Sequence, residues 1–118
     1  FGLVQFLDAH LAVLREAEKL HSALLQEMSS LPASARAYVL AMQSGVSARL
    51  GRALQVDIDK GLARPFDKVA LANIWIALTN HYLLNRDLFA PGESVIARHG
   101  AALKSQLLAI VEKEPIHD

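Results

Sequence analysis

The chain has 118 residues, and 53% of them are hydrophobic, which is enough to bury a self-supporting core within one domain. It contains no cysteine, which excludes disulfides, cysteine metal ligands and thiol nucleophiles and fits a reducing compartment. Twelve basic and twelve acidic residues cancel without forming a cluster, so the sequence lacks the basic patch expected of a nucleic-acid surface.

Helical periodicity predicts an all-α fold with five helices, because no alternating pattern is long enough to indicate a strand. The first helix is expected from about Leu3 to Ala17, where leucines recur at spacings of four and three. The second, a short one, is expected from about Glu18 to Met28. The pattern leaves open whether these two helices join or kink near Ala17.

A third helix is predicted from about Ala33 to Lys60, because Pro32 cannot continue the preceding helix and biases Leu31 toward an extended conformation. At about 1.5 Å per residue this helix would be roughly 40 Å long and would cross the whole domain. Gly61 is expected to end it as a left-handed cap.

The fourth helix is predicted from Asp67, whose carboxylate can accept the free amides of the first turn, to about Leu88. The fifth is predicted from about Glu93 to Lys113, with a core face and an adjoining seam of small residues. We expect the tail from Glu114 to Asp118 to be frayed.

The fourth helix is the most informative element because it is apolar on two opposite sides. One face carries Val69, Ala72, Ile76 and Leu83, and the other carries Leu71, Trp75, Leu78 and Tyr82. A helix that is buried once would leave one of these faces polar, so we expect one face to pack on its own domain and the other against a partner subunit. The central helix of a monomeric bundle would give the same pattern, and this alternative stays open.

The longest apolar stretch, from Val69 to Leu84, is interrupted by polar residues and is shorter than the roughly 20 residues that a membrane span requires. We therefore expect a soluble, cytoplasmic protein without a membrane partner. The chain opens on Phe1 without a methionine or a signal-peptide pattern, so we expect the natural beginning of the protein to lie upstream.

Three segments together resemble the C-terminal regulatory domain of TetR-family transcriptional regulators. They are the connector GLARPFD at 61–67, the ending HYLLNRDLFAP at 81–91 of the apolar helix that carries Trp75, and SVIARHG at 94–100. The resemblance implies an all-helical, cytoplasmic, bacterial-type ligand-binding domain whose last two long helices pair with their copies in an intersubunit four-helix bundle. It also implies that operator DNA is bound only by an N-terminal helix-turn-helix domain, which this sequence does not contain.

In that family a small hydrophobic effector binds in a cavity among the helices, so large or polar side chains on inward faces are the ligand-binding candidates. For each aromatic residue and for the methionine the alternative is plain core packing, and for His10 it is a hydrogen bond to a backbone carbonyl. Trp75 is the strongest candidate because its indole offers both area and a directional donor. The candidates are Phe6, His10, Tyr38, Met42, Ile74, Trp75 and Leu78.

The dimer-interface candidates lie on the fourth and fifth helices. Arg86 could form an intersubunit salt bridge with Asp87, although a solvated pair is an equal alternative. His81 and His99 are expected at the interface or its rim. The candidates are Ala72, Ile76, Leu83, Arg86, Val95, His99, Ala102, Gln106 and Ala109.

Metal binding and catalysis find no support in the sequence. No two histidines stand at the helical spacing of three or four residues that would place them on one face, so no metal is expected. The possible hydrolytic side chains fit no nucleophile motif, so we expect neither an enzyme nor a cofactor. The sequence thus predicts an effector-binding, homodimerising domain of a repressor, and the alternative is a helical dimerisation or scaffold module with a filled core and no ligand.

Overall fold

The computed structural model describes residues 1–113, and over that range the chain forms six α-helices and no strand. This confirms the predicted all-α class. The predicted frayed tail, 114–118, lies outside the described residues. The helices are α1 (Leu3–Glu16), α2 (Glu18–Gln26), α3 (Ala33–Asp59), α4 (Lys68–Leu84), α5 (Arg86–Phe89) and α6 (Val95–Ile110).

The junction between the first two helices, which the sequence left open, is a break at Ala17. Its backbone angles, φ −112° and ψ 29°, interrupt the helical run, and α2 starts at the next residue. A short 3₁₀ turn, Met28–Ser30, follows α2. Leu31 is then extended before Pro32, and α3 begins at Ala33 as predicted.

Several helix ends follow from local chemistry that is visible in the sequence. Gly61 has a φ of 72°, the left-handed conformation predicted for the end of α3. Asp67 Oδ1 accepts a 2.8 Å hydrogen bond from the Ala70 amide and caps α4 as expected. Ser94 Oγ accepts a 3.0 Å hydrogen bond from the Ala97 amide at the start of α6.

The predicted fourth helix is divided at Asn85, which corrects its expected end at Leu88. The side-chain Nδ2 of Asn85 donates to the His81 carbonyl oxygen at 2.9 Å, and the backbone of Asn85 leaves the helical region with φ −110° and ψ 29°. An asparagine that bonds to nearby backbone in this way competes with the helical ladder. The chain therefore turns into the separate short helix α5.

Helix α4 lies at the centre of the molecule and packs against α2, α3 and α6. Leu71 and Trp75 are fully buried, and so is Ala72 from the opposite predicted face. Both predicted faces are therefore covered substantially by the same chain, which corrects the assignment of the Ala72 side to a partner.

The exposed side of α4 lies between the two predicted faces, and it carries Ile74, Ala77 and Leu84 together with Val69, which was expected on the Ala72 face. Ile74 is 39% exposed and Leu84 is 40% exposed. No aspartate, glutamate, lysine or arginine occurs from Val69 to Asn85, so this solvent-facing side carries none of these charges. None of the described helices is long and apolar enough to cross a membrane.

Candidate functional site

A cavity of about 400 Å³ lies among α1, α2, α3 and α4. Its size falls within the range of small-molecule sites, which is on the order of 300 to 1,000 Å³. Most of the side chains that form its wall are apolar. The wall consists of Phe1, Phe6, Ala9, His10, Val13, Leu14, His21, Leu24, Leu25, Val39, Met42, Gln43, Val46, Arg49, Ile76, Thr79, Asn80 and Leu83.

The cavity runs from a buried interior to an exposed rim. Leu14, Val39 and Leu83 are buried and form the apolar interior. At the rim, Val13 is 56% exposed, and Arg49 also lies on the surface. An apolar molecule can therefore enter from solvent and lose its hydration against the interior side chains.

His10 and Trp75 form the most specific polar contact at the cavity. Trp75 Nε1 donates a 2.8 Å hydrogen bond to His10 Nδ1, across 65 positions of the sequence. The imidazole of His10 also stacks on Phe6, with 5.9 Å between ring centroids. Burial, together with the charges of His21 and Arg49, lowers the pKa of His10 to about 4. His10 is therefore neutral at pH 7 and holds the indole in one orientation.

The other polar groups of the wall come from α2, α3 and α4. Thr79 Oγ1 donates to the Trp75 carbonyl oxygen at 3.0 Å, so its hydroxyl is satisfied within α4. Burial lowers the pKa of His21 below its ordinary value. Gln43 and Asn80 add amide groups that can donate or accept hydrogen bonds.

Three of the predicted ligand-binding residues line the cavity, namely Phe6, His10 and Met42. Trp75 is fully buried behind the side chains that line the cavity, and its indole N–H donates to His10. This hydrogen bond corrects the expected role of Trp75 as a donor to the ligand. It positions His10 instead.

The remaining predicted ligand-binding residues lie elsewhere. Tyr38 is 63% exposed, whereas its neighbour Val39 is 4% exposed and lines the wall. Successive helical residues point about 100° apart, so Tyr38 faces solvent where Val39 faces the cavity, which corrects Tyr38 as a ligand-binding candidate. Ile74 lies on the exposed side of α4, and Leu78 packs against the core outside the cavity.

Sequence reasoning missed His21 and Arg49, and their helical spacing could have found both. His21 precedes Leu24 and Leu25 by three and four positions, and Arg49 follows Val46 by three. Each therefore lies on the same side of its helix as apolar residues that line the cavity.

The predicted interface residues separate into two groups. Ala72, Leu83 and Val95 are at most 1% exposed, so their own chain covers them, and Ile76 lines the cavity. By contrast, three positions on the seam of α6 lie on the surface, namely Ala102, Gln106 and Ala109.

The polar interface candidates have partners within the chain. Arg86 forms a 3.2 Å ion pair with Glu18 of its own chain, so the expected intersubunit bridge with Asp87 is not its observed contact. His99 Nε2 donates to the Phe89 carbonyl oxygen at 2.9 Å, and the His99 ring lies 5.3 Å from that of Tyr82 on α4. His81 is exposed and packs its ring edge against Phe89.

Within residues 1–113 no group of three or more histidine, cysteine, aspartate or glutamate side chains could hold a metal ion. Comparison with known proteins found no matching family model, no matching curated protein and no matching solved structure.

Proposed function

We propose that this chain is the effector-binding and homodimerising regulatory domain of a TetR-type transcriptional regulator. The observation that carries the proposal is the apolar cavity, which several helices enclose and which reaches solvent at one rim. A scaffold module with a filled core would place close-packed side chains there instead. The resemblance of the sequence segments to that family supplies the regulatory role, and operator binding is assigned to an N-terminal head in the parent protein.

The position of α4 supports a link between ligand binding and assembly. Its Thr79 and Leu83 side chains line the cavity, while Ile74 and Ala77 lie on its exposed side. A ligand that fits one position of α4 better than another will favour that position by the difference in binding free energy. In a dimer held through the exposed side of α4, such a shift changes the relative placement of the two chains.

A second copy has a suitable surface on α4 and α6. The two helices pack together, with Tyr82 of α4 beside His99 of α6. Small residues on the exposed side of α6 allow another helix to approach closely, and the uncharged exposed side of α4 favours burial. We call this surface the α4/α6 face, and it consists of the exposed residues Ile74, Ala77, Ala102, Gln106 and Ala109.

The cavity can be tested with a neutral fluorescent probe, N-phenyl-1-naphthylamine, whose emission rises in an apolar environment. Ala9 and Ala12 are both exposed positions of α1, but only Ala9 lines the cavity. We expect Ala9→Trp to obstruct the cavity and weaken probe binding at least tenfold, and Ala12→Trp to leave it unchanged.

The wild-type chain should bind one probe molecule per chain, and circular dichroism should show equal helicity in both variants. Saturable binding that survives in Ala9→Trp would place the probe elsewhere and contradict the proposed site. Failure of the wild-type chain to bind the probe or other neutral apolar compounds would favour the scaffold alternative.

A further inference from the structure

The cavity wall contains hydrogen-bond donors and a positively charged arginine side chain but no carboxylate. Its ionisable side chains are His10, His21 and Arg49, and neither an aspartate nor a glutamate is among the residues that line it. A bound cation would find no carboxylate to pair with at the wall, whereas an anion would find a guanidinium. The wall therefore offers a charged partner to an anionic group and none to a cationic group.

The hydrogen bond from Trp75 determines where the proton of His10 lies. An indole N–H can only donate, so His10 Nδ1 must accept, and the proton of the neutral imidazole is on Nε2. Nε2 makes no hydrogen bond with any described residue. The wall thus carries an oriented, uncharged Nε2–H donor that is free to meet an acceptor.

Arg49 supplies the charge at the same wall. Its guanidinium lies over Gly45, where its Nη1 is 3.6 Å from the position that a Cβ of residue 45 would occupy. It forms no ion pair with the acidic residues of the described range. Its positive charge nevertheless lies close enough to His10 to lower the pKa of that imidazole. Arg49 and His10 both line the cavity.

We propose that the ligand is an apolar monocarboxylate whose head is held by Arg49 and the Nε2–H of His10. Its hydrocarbon body lies among the buried side chains of Leu14, Val39 and Leu83. This inference rests on the proposed function of the cavity as an effector site and adds the chemical class of the effector. A carboxylate satisfies both donors at once, and a guanidinium pairs with it through charge-assisted hydrogen bonds.

The head group can be tested with three ligands that share one hydrocarbon chain. Decanoate, 1-decanol and decylamine are each used to displace N-phenyl-1-naphthylamine at pH 7.5. We expect decanoate to bind about tenfold more tightly than decanol, which corresponds to a single charge-assisted hydrogen bond, and decylamine to bind more weakly than either. Added salt should weaken decanoate binding and leave decanol binding nearly unchanged.

Two arginines of α3 provide a matched pair of variants. Arg49 and Arg52 are both exposed and lie three positions apart, but only Arg49 lines the cavity. Arg49→Gln should weaken decanoate binding about tenfold and leave decanol binding unchanged, whereas Arg52→Gln should change neither. His10→Phe should also remove part of the preference for decanoate over decanol, because it keeps the ring and removes the donor.

The outcomes separate this inference from the proposed function. If decanol and decanoate bind equally and Arg49→Gln changes neither, the inference about the head group is overturned while the cavity remains a ligand site. If Arg52→Gln weakens decanoate binding as much as Arg49→Gln does, the charge acts at long range and the assigned contact is wrong. If none of the three compounds displaces the bound probe from the wild-type chain, the inference about a monocarboxylate ligand is overturned, whereas failure of the probe itself to bind would overturn the proposed function.

Discussion

The carboxylate of Glu18 accepts a 3.0 Å hydrogen bond from the Ile96 amide across 78 positions of the sequence. It also accepts hydrogen bonds from the amide of Val95 at 3.2 Å and from Ser94 Oγ at 2.7 Å, and it pairs with Arg86 at 3.2 Å. A negative charge at this position satisfies the free amides in the first turn of α6 and interacts favourably with the helix dipole. One buried side chain of α2 thereby fixes the start of α6 and the first residue of α5.

Replacing Glu18 by glutamine should destabilise the fold, although the two side chains have nearly the same size. Glutamine keeps the shape but removes the charge from a group that is 5% exposed and leaves Arg86 without its partner. We expect Glu18→Gln to lower the free energy of unfolding by about 2 to 3 kcal/mol, as measured by urea denaturation. Glu16→Gln, at an exposed position of α1, is the matched control and should change it by less than about 0.5 kcal/mol. Equal stability of the two variants would show that the Glu18 network contributes little.

Acidification should destabilise the protein through two groups, His10 and Glu18, whose pKa values are lowered in the folded chain. Burial and the charges of His21 and Arg49 lower the pKa of His10 from 6.5 to about 4, so the unfolded chain binds more protons between these values. The free energy of unfolding therefore falls as the pH drops from about 6.5 to about 4.

Burial by itself would raise the pKa of Glu18. The hydrogen bonds from Ile96, Ser94 and Val95 and the charge of Arg86 outweigh that effect, so the net pKa of Glu18 is lowered.

The Glu18 contribution is present above the ordinary pKa of 4.5 and is lost as the pH falls through the lowered value in the folded state. Urea denaturation from pH 8 to pH 3 measures both contributions, and NMR titration of the imidazole carbons assigns the first one to His10. His10→Phe should reduce the slope of the curve between pH 6.5 and pH 4, where the lowered pKa of His21 also contributes, and Glu18→Gln should flatten the curve below pH 4.5. Titration of His10 near 6.5 in the folded protein would contradict the first assignment.

The helices could be predicted from the sequence because their signals are local. The signals that predict the helices each act within a few residues. They are the periodic leucines, Pro32, the left-handed Gly61 and the Asp67 cap, and they predict the helices with errors in the positions of the helix ends. Asn85 shows the limit, because the apolar pattern continues past it to Leu88 although its side chain takes up a backbone carbonyl. The pattern of many residues predicts that a helix forms, whereas the position of its last turn can depend on a single residue, as at Asn85.

The candidate site could be predicted only in part, because its polar contacts join distant positions. Phe6, His10 and Met42 were found as inward-facing residues, but nothing in the sequence pairs His10 with Trp75, 65 positions away. Glu18 likewise reads as an ordinary first-turn acid of α2 until α6 is packed against it. The two-sided apolar pattern of α4 indicated burial correctly, but it could not tell a neighbouring helix of the same chain from a second subunit.

The α4/α6 face can be tested as a dimer interface by placing a charge on it. Ala101 and Ala102 are adjacent, exposed and equal in size, but they lie on different sides of α6. Ala101 lines the groove between α1 and α6 together with Asp8 and Lys104, whereas Ala102 continues the seam toward Gln106 and Ala109. Buried in a dimer, an unpaired carboxylate at position 102 would cost several kcal/mol, so we expect Ala102→Glu to dissociate the dimer.

Sedimentation equilibrium at micromolar concentration should give a dimer for the wild-type chain and for Ala101→Glu, and a monomer for Ala102→Glu with unchanged helicity. Leu83→Glu does not serve this purpose, because Leu83 is 1% exposed and a charge there would unfold the core instead. A dimer that persists in Ala102→Glu would remove the seam of α6 from the interface. A wild-type monomer at that concentration would contradict the proposed homodimerisation through the α4/α6 face.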